Sequence, residues 1–394
     1  MCPEYSEVLV RYGEIGIKSR QTRKRMEDLL ISHLKSALKE ADVKFYKIRR
    51  EYGRIFIVTE MTEEASNIAS IIFGVVSVSP VVVIDAGLDA ILETGLELAR
   101  RRFKQKQSFA VGCRRVGTHD FSSQDVREKL GAAILKGIPE MDLSVNLTSP
   151  QQSIYVEVRN QNAYLFTDTI EGVGGMPTGS QGKVVCTLSS GLDSPIAAFK
   201  VMKRGCIPVF VNFDNTPYAN DDCRAIVTEQ AQLLANYIHN FEVKLYIIPH
   251  GADLSEAETH GPSKMTCLFC KRNMLRMARE IAIAECADAI VTGEIIGEQA
   301  SQTTMNLRAI NTAVCDFPIL RPCAGDDKSD IEALAHKIGT YRFAEAGLSC
   351  CTLAPKYPVT RGNVSDIQQA EEDMDLGILK KQVDQAHIIT LRRG

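Results

Sequence analysis

The chain has 394 residues, 45% of them apolar and 24% charged, which is ordinary for a soluble globular protein of two or three domains. No run of 18 apolar residues occurs and the opening Met1-Cys2-Pro3-Glu4 is unlike a secretory signal, so a membrane-spanning helix is excluded and a cytoplasmic protein is expected. The net charge of −3 gives no overall pull towards nucleic acid, and twelve cysteines in such a chain point to reduced thiols used for metal binding or catalysis.

The pattern opens with a short strand at residues 8–11 and a helix over 20–39, with Met26, Leu29, Leu30, Leu34 and Leu38 on one face. Strands at 44–48 and 54–58 flank a turn at Gly53, and a helix at 65–72 leads into a β-branched strand at 75–84. This βαββαβ order predicts a small ferredoxin-like unit. A second α+β unit follows. Its first helix, 88–103, turns Leu92, Leu96 and Ala99 inward, and a strand runs over 108–113. Ser122-Ser123 can cap a helix over 124–135, and strands at 143–145, 154–158 and 162–167 complete the sheet. The first 168 residues carry a slight basic excess. Lys18, Arg101, Arg102, Lys104, Arg114 and Arg115 belong to clusters able to meet phosphates, or equally to solvated faces. For the arginines after residue 99, a helix C-terminal dipole is the plain explanation.

A segment rich in glycine and turn formers, 171–182, leads to a third unit of alternating strands (184–188, 208–213, 243–248, 289–292) and helices (195–204, 222–235, 270–285, 329–338). That alternation predicts a doubly wound parallel sheet with its ligand at the strand C-terminal ends. The last 32 residues read as an appended helix or strand. The sharpest feature is Val184-Val-Cys-Thr-Leu-Ser-Ser-Gly-Leu-Asp-Ser-Pro195. A strand stops at a small-residue turn and a helix begins, so free backbone N–H groups and the positive helix end converge on an anion site. The Gly-Lys-Ser/Thr of a Walker A loop is missing.

This stretch resembles the PP-loop, SGGxDS, of ATP pyrophosphatases, with Ser190 where a second glycine is usual. Together with Arg11-Tyr-Gly-Glu-Ile-Gly-Ile-Lys18, Val291-Thr-Gly-Glu294, Ala300-Ser-Gln-Thr303, Asp327-Lys328 and Cys350-Cys351-Thr-Leu-Ala-Pro-Lys-Tyr-Pro358, it is similar in order and content to the ThiI family of tRNA 4-thiouridine synthetases. The resemblance covers nearly the whole chain. It implies an N-terminal ferredoxin-like domain (1–60), a THUMP domain (61–168), a linker (169–182) and a PP-loop domain (183–394). The first two would bind tRNA, and the third would activate its uridine at position 8. Many bacterial members carry a C-terminal rhodanese domain, for which the sequence after Pro358 is too short. Cys267-Leu-Phe-Cys270 instead resembles a methanogen-type branch and two-thiouridine synthetases that hold an iron–sulfur cluster through a CxxC and a distant cysteine.

By this resemblance Thr187 and Leu188 flank ATP, and Ser189, Ser190, Gly191, Asp193 and Ser194 cradle its phosphates. Asp193 would hold Mg²⁺ or orient the loop. Asn212 and Phe213 fit an adenine contact. Gly293 and Gln302 fall on other nucleotide positions, Lys271 stands where relatives have arginine, and Lys328 matches a lysine implicated in catalysis. Cys267 and Cys270 sit at i and i+3, where a helix end and Lys271-Arg272 are expected to lower their pKa. Cys351 aligns with the sulfur-handling cysteine of rhodanese-bearing relatives, with Cys350 as alternative or fourth ligand. Spacing leaves zinc and iron–sulfur equally open. The family's sulfur chemistry favours a 4Fe–4S cluster fed by sulfide or a cysteine desulfurase, and the family favours a homodimer. Sulfur transfer to a ThiS-type carrier and non-catalytic tRNA binding are the rival readings.

Overall fold

A computed structural model describes residues 4–51, 53–220, 222–344 and 351–392. The chain divides into two compact units, residues 1–176 and 177–394.

The first unit runs β1 (Glu7–Tyr12), α1 (Arg20–Glu40), β2 (Lys47–Glu51), β3 (Arg54–Val58), α2 (Thr62–Ser70) and β4 (Val75–Asp85). It continues with α3 (Leu88–Arg102), β5 (Ser108–Val116), α4 (Ser123–Gly137), β6 (Ser144–Val145), β7 (Gln152–Arg159), β8 (Asn162–Phe166) and β9 (Ile170–Glu171). All nine strands form one sheet in the order β2-β3-β1-β4-β8-β7-β5-β6, with β9 also on β4. Ser19 caps α1, whose Met26, Leu30, Leu34 and Leu38 are buried at intervals of one turn, while Leu29 is only partly buried. Ser122 and Asp125 form a capping box on α4. β2 begins three residues later than expected, because the Gly53 turn (φ +75°) pairs Glu51 with Arg54 and sets the register back to Lys47. The buried stripe of α3 is Ile91, Gly95, Leu98 and Ala99, with Leu92 and Leu96 only partly buried. Gly95 lets α3 approach α4, since a Cβ there would lie 2.6 Å from Leu130 Cδ1.

β4 is shared between the two halves of this unit. Residues 75–81 pair with β1, and residues 82–85 pair with β8. Phe56 of β3 stacks on Tyr164 of β8, with centroids 4.5 Å apart, so the two halves also pack face to face. The expected cut at residue 60 falls just before α2, whose Ala65 and Ala69 are buried with β1 and α1 in the first core.

The second unit runs β10 (Lys183–Thr187), α5 (Asp193–Lys203), β11 (Ile207–Asp214), α6 (Asp222–Ala235), β12 (Val243–Pro249), α7 (Gly251–His260), α8 (Thr266–Ala284) and β13 (Ala289–Val291). Then come α9 (Thr304–Asn311), β14 (Ile319–Leu320), α10 (Lys328–Ile338), α11 (Tyr341–Ala344), α12 (Val364–Glu371), α13 (Gly377–Asp384) and β15 (His387–Leu391). The sheet order is β14-β13-β10-β11-β12-β15, parallel except for β15, which closes the β12 edge antiparallel. The chain leaves β10 for β11 and β12 on one side and returns to β13 on the other. The carboxyl ends of β10 and β13 therefore flank a topological switch point, where ligands of such sheets bind. The end of the chain holds two helices as well as a strand. α7 and α9 escaped the periodicity reading, being 10 and 8 residues long with polar residues buried among apolar ones.

Candidate active site

The turn after β10 opens onto a cavity of about 450 Å³. Ser194, in the first turn of α5, accepts the Ser189 N–H at 2.9 Å, and its hydroxyl lies 3.0 Å from Ser189 Oγ. The Gly191 N–H reaches Ser189 Oγ at 3.3 Å. Asn212 Nδ2 donates to Leu188 O at 2.9 Å, and Thr187 Oγ1 donates to Val291 O at 3.1 Å, tying the loop to both neighbouring strands. Neither Ser190 nor Gly191 has a left-handed φ, so serine sits at 190 without strain; its hydroxyl points to Cys223 Sγ at 3.8 Å. Gly293 is a glycine of necessity: a Cβ there would lie 2.6 Å from Ser194 Cα. Thr187, Leu188, Ser189, Ser190, Gly191, Asp193, Ser194, Asn212, Phe213, Lys271, Gly293 and Gln302 all line the cavity. Gln302 is buried, and its Oε1 has no hydrogen-bond partner among the described residues.

Charge is organised around this loop by two carboxylates whose part the sequence reading did not assign. Lys328, the first residue of α10, donates to Asp193 Oδ1 at 2.7 Å and to Glu298 Oε1 at 2.6 Å. Burial pushes the Asp193 carboxyl above its ordinary value, and the Lys328 ammonium opposes that shift. Lys271 lies 3.1 Å from Glu294 Oε1, and Glu294 also takes Arg321 at 2.5 Å and Thr292 at 2.8 Å. Burial works to raise Glu294, but Lys271 and Arg321 outweigh it and hold the carboxyl below its ordinary value. Glu294 ends the Val291-Thr-Gly-Glu294 motif. Its role shows only once β13 brings it beside α8.

Cys267, Cys270 and Cys351 line the same cavity as the loop. Cys350 lies outside the described residues. The expected lowering of the CxxC pKa is corrected here. Both cysteines lie within α8, which starts at Thr266, and burial pushes both thiols up, Cys270 well above its ordinary value. The neighbouring Cys351 adds to the shift in both, and Asp253 adds to it in Cys270. Arg272, expected to help, faces away and forms a buried pair with Glu371 at 2.7 Å. His250, which precedes the CxxC in sequence, and Asp253 come up beside Cys270. His250 Nε2 lies 3.3 Å from Cys270 Sγ, and its Nδ1 lies 2.8 Å from Asp253 Oδ1, off the hydrogen-bond line. Asn273 and Gln382 donate to Asp253 at 3.1 and 2.9 Å. Among the described residues, no three His, Cys, Asp or Glu side chains converge closely enough to hold a single metal ion.

The six basic residues are placed on the first unit. Lys18, Arg101, Arg102, Lys104 and Arg114 are exposed, and Arg115 is half-buried. Arg101 pairs with Glu97 at 3.4 Å, Arg102 lies over the Tyr5 ring at 4.8 Å, and Arg115 donates to Gly117 O at 3.1 Å. α3 delivers Lys104 near the start of β5. Arg114 lies six residues into that strand, about 20 Å further on at the usual strand rise, so these cations form two clusters.

Residues 179–376 match the profile of the family described as thiamine biosynthesis protein (ThiI), residues 7–79 match the ThiI ferredoxin-like domain, and residues 85–168 match the THUMP domain. The chain belongs to the ThiI family. The probable tRNA sulfurtransferase of Methanothermobacter thermautotrophicus is 37% identical over 383 residues, 95% of each chain. A probable tRNA sulfurtransferase from Methanocaldococcus jannaschii is 35% identical and covers 94% of this ThiI chain and 97% of its own. Among solved structures, a 4-thiouridine synthetase in complex with RNA, with bound ATP, matches at a TM-score of 0.86 and 29% identity, covering 99% of this ThiI chain and all of that one. The loop, the charged pairs and the three cysteines all fall within the span of the ThiI profile. No helix among the described residues is long and apolar enough to cross a membrane.

Proposed function

We infer that this protein is an ATP-dependent tRNA sulfurtransferase that makes 4-thiouridine, acting on the uridine at position 8. The observation that carries the reading is the full-length match to a 4-thiouridine synthetase with RNA and ATP bound, on a chain whose PP-loop and three cysteines line one cavity.

ATP lies with its phosphates on the loop N–H groups, the hydroxyls of Ser189 and Ser194, and the N-terminus of α5. Asn212, Phe213 and the unpartnered Gln302 Oε1 face the base. O4 of the uracil attacks the α-phosphorus, the bond from that phosphorus to the pyrophosphate oxygen breaks, and the uracil N3 proton is released. Lys271 and Lys328 neutralise charge that grows on the phosphate oxygens, and Glu294 and Glu298 hold those ammonium groups in place. Asp193 is the carboxylate on hand for a Mg²⁺ ion brought with the nucleotide. Sulfide then adds at C4, AMP leaves with O4, and the C=S bond forms. Activation is needed because a carbonyl oxygen leaves poorly and AMP leaves well.

Three cysteines around one cavity, two of them (Cys267 and Cys270) with thiols pushed up by burial, fit a positively charged iron–sulfur core that would compensate three thiolates. Cys267, Cys270 and Cys351 would hold it. A cluster bound by three cysteines supplies one iron without a protein ligand, on which sulfide can be held. A four-cysteine zinc site, with Cys350 as the fourth ligand, is the alternative. Sulfide or a cysteine desulfurase is the sulfur source, and the enzyme works as a homodimer. Lys18, the Arg101–Lys104 cluster and the Arg114–Arg115 cluster meet tRNA phosphates.

Purified protein given ATP, tRNA and sulfide is expected to release pyrophosphate and yield 4-thiouridine. Pyrophosphate without thiouridine, or neither, overturns the reading. Anaerobic preparations are expected to contain iron and acid-labile sulfide, both lost in Cys267→Ala. Stoichiometric zinc without iron overturns the cluster.

A further inference from the structure

The cavity wall that carries Cys351 belongs to no helix or strand. Residues 351–362 form a strap, with Cys351, Leu353 and Ala354 facing the cavity. An irregular segment takes its position from whatever binds its backbone groups. The near end is held by Thr352, whose N–H donates to Tyr218 O at 2.8 Å. The far end is held by α9 and the turn before it. Asn306 is fully buried; its Nδ2 donates to Val359 O at 2.8 Å, and its Oδ1 accepts the Gly362 N–H at 2.8 Å. Thr303 Oγ1 donates to Thr360 O at 2.7 Å while also accepting the Asn306 N–H as the N-cap of α9. The Val359 N–H donates to Lys264 O at 3.0 Å, just before α8 and its CxxC.

The same short turn faces the nucleotide side. Asn306 Nδ2 also donates to Ala300 O at 2.7 Å, and the intervening Ser301 and Gln302 line the cavity. The PP-loop is held by a separate set of contacts, through Asn212, Thr187 and the Ser189–Ser194 pair. We propose that Thr303 and Asn306 are positioning residues that hold the Cys351 strap in register with the nucleotide-facing turn, so that sulfur delivery depends on both, and on Thr303 without a matching dependence of uridine activation. The proposal rests on the sulfurtransferase reading.

Thr303→Asp keeps an N-cap acceptor for α9 but sets a carboxylate against the Thr360 carbonyl. Thr303→Ser keeps both roles. Pyrophosphate and 4-thiouridine are measured in the same reaction with ATP, tRNA and sulfide. Thr303→Asp is expected to release pyrophosphate at the wild-type rate while thiouridine per pyrophosphate falls at least about fivefold, the factor matching one hydrogen bond of net worth near ~1 kcal/mol. Thr303→Ser restores the ratio. Asn306→Asp keeps the Gly362 contact but loses the donations to both Val359 and Ala300, so its ratio falls likewise even where pyrophosphate release also drops. An unchanged ratio in both aspartate variants overturns the proposal, as does a parallel fall of both products in Thr303→Asp, the mark of general structural damage. A wild-type enzyme that releases pyrophosphate but makes no thiouridine fails the sulfurtransferase reading itself, and this proposal with it.

Discussion

Gly293→Ala tests the junction on which the PP-loop depends. The added Cβ would lie 2.6 Å from Ser194 Cα, 2.7 Å from Ser194 N and 3.0 Å from Asp193 C. Ordinary contact starts at 3.4 Å, so the end of β13 and the start of α5 must part by about 0.8 Å (3.4 − 2.6). Those atoms are backbone, and no rotamer change relieves them. The shift carries Ser194 away from the Ser189 N–H it accepts and opens the loop. Misplacing a positioned group by close to 1 Å costs on the order of 10²-fold in rate, so pyrophosphate release should fall by about that factor. Overpacking of this kind costs about 1–3 kcal/mol, which leaves a typical domain folded. Single-turnover pyrophosphate release at saturating ATP and tRNA, with urea unfolding in parallel, reads both effects. A folded Gly293→Ala protein with wild-type release would refute the reasoning. Gly191→Ala is the contrast: its nearest neighbour is Ser189 Oγ at 3.4 Å and its φ is ordinary, so its stability should stay within about 0.5 kcal/mol of wild type.

Four further outcomes are expected. Ser190→Gly should keep or raise pyrophosphate release while lowering stability by roughly 0.5–1 kcal/mol through backbone entropy; a clear loss of release would mean that the Ser190 hydroxyl is needed. Lys328→Met removes the ammonium that favours the charged form of Asp193, so the residual activity's acidic limb should move to higher pH; an unmoved limb would separate Asp193 from the rate. Burial pushes Glu371 up, but Arg272 and Arg276 outweigh it, so its folded pKa lies below the ordinary 4.5. Its stabilisation is then present above that value and is lost as pH falls through the folded one. Glu371→Gln should cost about 3–5 kcal/mol at neutral pH and progressively less in acid, read from urea midpoints across pH. Arg114→Ala should weaken tRNA binding and flatten its salt dependence by about one phosphate contact, a slope change of roughly 0.7–0.9; an unchanged slope would take Arg114 off the interface.

Local pattern carried much of the fold. The one-turn spacing of Met26, Leu30, Leu34 and Leu38, the apolar run into Ser189 and the Ser122 cap each report physics confined to a few neighbours, and the elements formed there. The site was legible as a set of motifs and much less as a geometry. Lys328 meets Asp193 across 135 residues of sequence, and Glu371 takes Arg272 across 99. Nothing in the local sequence says that Arg272 turns from the cysteines to a carboxylate so far along the chain. The thiols show the same limit. A helix start and two cations predict a lowered pKa, but desolvation is set by what packs around the sulfur, and packing is a tertiary property. Ser190 is the converse case: a small residue stands where glycine is usual, and the backbone there needs no glycine conformation.

β4 makes the ferredoxin-like and THUMP halves mechanically inseparable. Its 11 residues span roughly 36 Å as one continuous beam, with a different sheet neighbour on each stretch. A hinge between the halves would have to break a strand that both cores have already buried. The first unit therefore acts as a stiff gauge for whatever lies along it. Recombination that exchanged one half alone would have to cut the beam and leave two exposed edges, so the pair should be inherited as a single piece.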